Sequence, residues 1–141
     1  MAYDEKRLRA IFEKTRGLCH ICWKPIAFSN YGVHGSRGGW HVDHSTPIAE
    51  GGTDHLNNLL PAHSSCNCSK QANSNRTARQ AHGRTRAPMS AAELERERTG
   101  NAFTGALSGA LLGARFGGPA GFWIGLIVGG LLTYAVDPEA T

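Results

Sequence analysis

Two short pairs of cysteine and histidine have the spacing of a metal site. Residues 19–22 have the pattern C-x-x-C, and residues 63–66 have the pattern H-x-x-C. Two such pairs supply four ligands of the types that surround a tetrahedral Zn²⁺. We therefore predict a structural zinc site formed by Cys19, Cys22, His63 and Cys66.

Cys68 leaves a second ligand set open. A Cys66/Cys68 pair would replace His63, but its C-x-C spacing is tighter and less common, so the pair of His63 and Cys66 is favoured. His20 lies inside the first pair and is expected to be a neighbour of the metal, not a ligand. Because the four cysteines form two tight clusters, they favour a metal site over a disulfide framework.

Further polar residues lie around the second pair. Asp43, His44 and Asn58 lie before this pair in the sequence, and Asn67 and Lys70 follow it. Hydrolysis of a phosphodiester bond needs an activated water, a cation that neutralises the phosphorane, and help for the leaving oxygen. His44 suits the base because an imidazole exchanges protons near neutral pH. Asp43 offers a hard oxygen to Mg²⁺ or Mn²⁺.

In combination and in order, these motifs resemble the HNH endonuclease family and its ββα-metal fold. The resemblance covers roughly residues 5–80 and rests on C-x-x-C, Asp-His-x-x-Pro, Gly-Gly, Asn-Leu, the second zinc pair and Cys-Asn-x-x-Lys. One departure is His63, which stands where many members have a cysteine. The resemblance implies an α+β domain that cuts DNA, with a structural Zn²⁺ and a catalytic Mg²⁺ or Mn²⁺.

The resemblance also implies a role for each matched position. His44 resembles the general base, and Asp43 and Asn67 resemble the ligands of the catalytic metal. Asn58 resembles the central asparagine, which braces the loop and orients the histidine. It fits the Asn-Leu pattern better than its neighbour Asn57. Since adjacent strand residues point to opposite faces, Asp43 and His44 can share one site only if the strand ends there.

The segment after the site is basic. Between residues 70 and 86 the chain carries five basic residues and no acid. Beside a nuclease site, contact with phosphates is favoured over a merely solvated face. The predicted DNA-binding residues are Lys70, Arg76, Arg79, Arg84 and Arg86. His34, His55 and His82 are predicted to be surface or packing residues, with His41 kept as an alternative residue of the active site.

The elements that position these residues are short. Helical spacing of Leu8 and Ile11 predicts a helix over residues 4–16. Strand centres are predicted at Val42 and at residues 59–60, followed by a helix to Gln80 and a linker through residue 88. A capping box predicts that a second short helix starts at Ser90.

A strict glycine register marks the C-terminal segment. Seven of the 18 glycines recur every four residues: Gly105, Gly109, Gly113, Gly117, Gly121, Gly125 and Gly129. On a helix this register forms one face that lets another helix approach closely. In water each glycine costs roughly 1 kcal/mol relative to alanine, whereas a bilayer makes the helix nearly obligatory. The segment resembles glycine-zipper membrane hairpins.

Residues 101–136 are therefore predicted to be a membrane segment, turned into a hairpin at residues 117–119. One span with an interfacial helix, or a hairpin buried in a soluble oligomer, remains an alternative. The glycine face is also predicted as a contact for a homo-oligomer.

Length, composition and charge indicate how the chain is divided into domains. A chain of 141 residues excludes a large multidomain enzyme, and 40% hydrophobic residues exclude a wholly disordered one. Residues 1–86 carry 12 Lys/Arg and six Asp/Glu, whereas residues 87–141 carry three and five. We predict a nuclease domain at 1–82, a basic linker and short helix at 83–100, the membrane segment at 101–136 and a tail at 137–141.

The leading hypothesis is a metal-dependent DNA endonuclease tethered to a membrane. The N-terminus has no signal-peptide pattern, which favours a reducing cytoplasm. The basic flank places the nuclease at the cytoplasmic face of the inner (plasma) membrane. Two alternatives stay open: a non-catalytic zinc module that binds DNA, and a membrane-active glycine-zipper protein whose nuclease domain is secondary.

Overall fold

The structure, a computed structural model, describes residues 3–71 and 73–140. These residues form two compact units, one up to Ala91 and one from Ala92 onward. The first two residues of the predicted domain 1–82, residue 72 of the predicted helix after the site, and the last residue of the predicted tail lie outside the described residues.

The first unit opens with helix α1, Glu5–Glu13. Asp4 caps it, since its side chain accepts a hydrogen bond from the backbone N–H of Arg7 at 2.7 Å. Leu8 and Ile11 are buried on one face, as their spacing predicted. The helix ends earlier than predicted, and the backbone then reaches positive φ at Arg16.

Two antiparallel strands, β1 (Trp40–His44) and β2 (Leu59–His63), form the sheet. Val42 is opposite Pro61 and is the centre of β1, as predicted. β2 begins at Leu59 and its central residue is Pro61. The predicted strand centre at residues 59–60 therefore lies too close to the start of the strand. Pro61 is tolerated because both strands of a two-stranded sheet are edge strands.

Two helices follow the sheet, α2 (Ser64–Lys70) and α3 (Asn75–Gln80). The predicted single helix to Gln80 is therefore wrong. Gln71 has a φ of 48°, which interrupts the helix, and Ser74 caps the new one through the backbone N–H of Thr77. Two strands and helices in this order confirm the predicted α+β class.

The core of the first unit is small and centred on Trp40, which is fully buried. Phe12, Phe28 and Tyr31 surround it with ring centroids 5.0–6.4 Å away. A core of this size supplies little stability by itself, so domains of this kind usually need a metal or a disulfide.

The second unit is dominated by helix α4, Ala91–Ala135, which is interrupted at Gly118. Gly118 has φ 59° and ψ −147°, a conformation that glycine adopts without steric cost. The interruption divides α4 into a first arm, residues 91–117, and a second arm, residues 119–135. The predicted helix start at Ser90 is correct to within one residue, but the helix is not short, because the first arm continues through Gly100. A single glycine costs only about 1 kcal/mol.

The two arms pack glycine against glycine. A Cβ atom added at Gly109 would overlap the carbonyl oxygen of Gly125, and one at Gly113 would overlap that of Gly121. The arms therefore run antiparallel and in close contact. Six of the seven register glycines are used inside this hairpin, so the described residues leave no extended glycine face for the predicted homo-oligomer.

Large apolar side chains form the outer surface of the hairpin. Leu111, Phe116, Trp123 and Leu131 are each more than 60% exposed. Among the described residues, α4 is the one helix that is long and apolar enough to cross a membrane, judged by length and composition. An exposed apolar surface of this extent marks an interaction site in a soluble protein or a face toward lipid.

The close glycine contact predicts the effect of a matched pair of substitutions. We expect Gly125→Val to lower the thermal midpoint of the helical signal in detergent by about 5 °C or more, because the new side chain meets backbone atoms. Gly117→Val is the control, since a Cβ there meets nothing within 4 Å. Circular dichroism of the full-length variants measures both, and equal midpoints would contradict the packing.

Candidate zinc centre and active site

The four predicted zinc ligands converge on one point. The donor atoms of Cys19, Cys22, His63 and Cys66 all lie within 4.8 Å of one another. The two first cysteines come from the loop after α1, His63 ends β2, and Cys66 lies in the first turn of α2. Three sulfurs and one imidazole nitrogen fit a structural zinc site.

The ring of His63 is held in the tautomer that a metal needs. Its Nε2 lies 3.1 Å from the carbonyl oxygen of Pro25. A carbonyl can only accept, so Nε2 carries the proton and Nδ1 keeps its lone pair. Nδ1 lies 3.4 Å from Sγ of Cys22. The histidine therefore presents the correct nitrogen to the cluster.

The thiols of the cluster influence one another. Hydrogen bonding with Cys19 lowers the pKa of the Cys22 thiol and raises the pKa of the Cys66 thiol. Opposite shifts mean that the three sulfurs do not all ionise together by themselves, whereas a bound cation would offset the charge of three thiolates. Cys68 is exposed and lies outside the cluster, so the structure favours His63 over the alternative Cys66/Cys68 pair.

A second centre lies at the end of β1, where an open cleft of about 510 Å³ is found. It contains two of the predicted site residues, His44 and Asn67, together with the alternative residue His41. The rest of its lining is Tyr3, Tyr31, Val42, Ile48 and Asp54.

Asp54 orients the ring of His44, a role that the sequence analysis missed. Its Oδ1 lies 2.8 Å from Nε2 of His44 and also accepts a hydrogen bond from the hydroxyl of Tyr3 at 2.9 Å. The hydrogen bond with His44 lowers the pKa of Asp54, which keeps the carboxylate ionised. A carboxylate can only accept, so Nε2 carries the proton and Nδ1 of His44 keeps a lone pair.

Asn58 braces the loop between the strands, as the resemblance implied. Its Oδ1 accepts a hydrogen bond from the backbone N–H of Thr46 at 2.8 Å. Its Nδ2 donates to the carbonyl oxygens of Thr46 at 3.0 Å and of Thr53 at 2.9 Å. The loop closes so tightly that a Cβ at Gly52 would overlap the carbonyl oxygen of Thr46. This closure returns Asp54 to the side of His44.

Asp43 lies behind the cleft, not in it. Its carboxylate is 5% exposed, and its Oδ1 accepts a hydrogen bond from Nζ of Lys70 at 2.9 Å. Its Oδ2 lies 2.8 Å from Nε2 of His20. Because β1 stays regular through His44, the two neighbouring side chains take opposite faces. The predicted ligand pair of Asp43 and Asn67 is therefore not assembled in this arrangement.

Two of the predicted DNA contacts point inward. The Lys70 ammonium is 3% exposed and also donates to the carbonyl oxygen of His44 at 3.0 Å. The half-buried guanidinium of Arg79 donates to the carbonyl oxygen of His20 at 3.0 Å and reaches its Nδ1 at 2.9 Å. Both cations hold the site from within, so they are not surface contacts for phosphate.

The remaining predicted cations stay near the surface. Arg76 and Arg86 are exposed, and the Arg84 guanidinium lies 4.4 Å from the ring centroid of Trp23. A guanidinium stacked on an aromatic ring keeps its N–H donors at the ring's edge, where they can meet a phosphate.

Residues 19–73 match the family model of the HNH endonucleases. This segment is similar to an HNH endonuclease domain. The match begins at Cys19 and extends beyond α2, so it includes the metal cluster and every residue of the cleft except Tyr3, although it covers less than half of the chain. It confirms the HNH resemblance. No curated protein and no solved structure matches the chain significantly.

The cluster of Cys19, Cys22, His63 and Cys66 offers a direct test of the metal ligands. We expect Cys66→Ser to lose bound zinc, because it removes one of the four converging donors. Cys68→Ser is the matched control and should keep one zinc per chain. Mass-spectrometric metal analysis of the two purified full-length variants measures this. A Cys68→Ser protein without zinc, or a Cys66→Ser protein with full zinc, would show that the ligand set is different.

Proposed function

We propose that this protein is a zinc-stabilised HNH endonuclease that hydrolyses phosphodiester bonds of DNA and is tethered to a membrane by residues 101–136. One observation carries the nuclease assignment: within an HNH domain, His44 lines an open cleft with its ring held by Asp54 at 2.8 Å. The zinc cluster and the basic surface support it.

The chemistry centres on the imidazole of His44. With Nε2 held by Asp54, the lone pair of Nδ1 is available to take a proton from an attacking water. Asn58 keeps the loop closed around the ring. Of the two ligands that the resemblance implies for Mg²⁺ or Mn²⁺, only Asn67 faces the cleft. In this arrangement the cleft presents one of the two implied ligands.

The DNA is expected to lie along the basic side of the domain. Arg76, Arg84 and Arg86 are the cations placed to meet phosphates, which sets the position of the strand without reading its sequence. The excess of 12 basic over six acidic residues in the first 86 favours a polyanionic partner.

The hairpin is the proposed membrane tether. A second arm of 17 residues measures about 25 Å as a helix, close to the hydrocarbon thickness of about 30 Å. Because the chain reverses at Gly118, both ends of the hairpin belong on one side of the bilayer. The basic residues before it favour the cytoplasmic face of the inner (plasma) membrane.

Plasmid cleavage tests the assignment of His44. We expect full-length protein with Mg²⁺ or Mn²⁺ to nick or linearise plasmid DNA, and His44→Ala to cut at least about a hundredfold more slowly, because the general base is lost. His55→Ala is the control, since His55 is exposed and outside the cleft. Activity that survives His44→Ala would overturn the mechanism. Band shifts without cleavage at any divalent ion would favour the non-catalytic DNA-binding module.

Fractionation tests the tether and its topology. We expect the full-length protein to stay in the membrane fraction after an alkaline wash. A peptide tag after residue 140 should be protected from external protease in intact spheroplasts and digested after permeabilisation, because the hairpin returns the tail to its starting side. A soluble protein would contradict the tether, and a tag digested in intact spheroplasts would indicate one span.

A further inference from the structure

A connected set of buried and half-buried polar residues lies behind the cleft, and the proposed chemistry uses none of its members directly. It consists of Arg79, His20, Asp43 and Lys70, in the order in which they touch. His20 is 0% exposed, whereas histidine side chains are fully buried only at intermediate frequency. Buried polar groups of this kind persist when every member has a partner, and here each one does.

The direction of each hydrogen bond follows from the donors. Arginine has no acceptor, so its guanidinium donates to Nδ1 of His20 at 2.9 Å. The proton of the neutral ring is then on Nε2, which donates to Oδ2 of Asp43 at 2.8 Å. Lys70 donates to the other oxygen. Asp43 is thus held from both sides.

His20 connects the metal cluster to the catalytic strand. It lies between two cysteines of the cluster, and its backbone N–H donates to the carbonyl oxygen of Pro61 in β2 at 2.9 Å. On the other side, Asp43 directly precedes His44, and Lys70 bridges the Asp43 carboxylate and the His44 carbonyl oxygen. Three hydrogen bonds therefore lead from His20, through Asp43 and Lys70, to the backbone of His44.

We propose that His20 is a positioning residue, which fixes Asp43 from within the zinc cluster and thereby holds the end of β1 that presents His44. The inference rests on the proposed nuclease function and adds a dependence of the active site on the cluster. An apolar side chain at this position would fill the space but leave Oδ2 of a buried carboxylate without its partner, which is costly.

Two substitutions in the zinc-loaded full-length protein test the role. We expect His20→Leu to keep one zinc per chain and an unchanged KM, and to lower kcat about tenfold to a hundredfold, since one charge-assisted hydrogen bond is lost. His20→Gln should recover most of the rate, because its amide N–H can still donate to Asp43. His55→Leu, at an exposed position, is the control. A His20→Leu protein with zinc bound and the wild-type kcat would overturn the inference.

A measurement that needs no catalysis decides the same point. Nitrogen-15 spectra of the imidazole rings in the zinc-loaded protein should show His20 as the Nε2–H tautomer. They should also show ring signals of His44 that shift in His20→Leu but not in His55→Leu. The Nδ1–H tautomer at His20, or unmoved His44 signals, would overturn the inference. If the wild type cuts no DNA, the proposed function fails, and these spectra still decide whether His20 positions His44.

Discussion

The convergence of four soft donors on one point is the constraint on which the rest of the first unit depends. The cluster joins three segments that are distant in sequence: the loop after α1, the end of β2 and the start of α2. The apolar core around Trp40 is too small to fix these segments by burial alone. A metal at the cluster adds binding free energy directly to the free energy of folding.

The two strands connect the candidate active site to this cluster. β2 ends at a metal ligand and pairs in register with β1, whose last residue is His44. From the front, Asp54 holds the His44 ring, and the braced loop holds Asp54 in turn. From behind, the buried set that includes Asp43 fixes the backbone. The proposed base is therefore held on both sides, which is the preorganisation that efficient proton transfer requires.

Spacing in the sequence was sufficient wherever chemistry demands a fixed set of ligand types. The zinc set, the buried Trp40 and the turn at Gly118 were all predictable from residue types and intervals. The direction of individual side chains was not. Whether Asp43 or His44 faces the cleft depends on where β1 stops being regular, and that depends on how the loop closes. Asp54 was missed for the same reason.

The prediction of phosphate contacts relied on charge alone, and it did not foresee that two of the cations point inward. A basic run without acids indicates a phosphate-binding face, and nothing in the run itself shows that Lys70 and Arg79 turn inward to Asp43 and His20. Their partners come from β1 and from the cysteine pair, far away in sequence. The glycine register had a similar limit: it predicted close helix packing, but the fold satisfies it within one chain.

Hydrogen–deuterium exchange of the full-length protein, with zinc bound and after chelation, tests most directly whether the cluster supports the active site. The account predicts that chelation removes the protection of peptides covering β1 and β2, while the hairpin of residues 92–135 keeps its protection. Strands that stay equally protected without zinc would contradict it, because the end of β1 would then be fixed without the metal cluster.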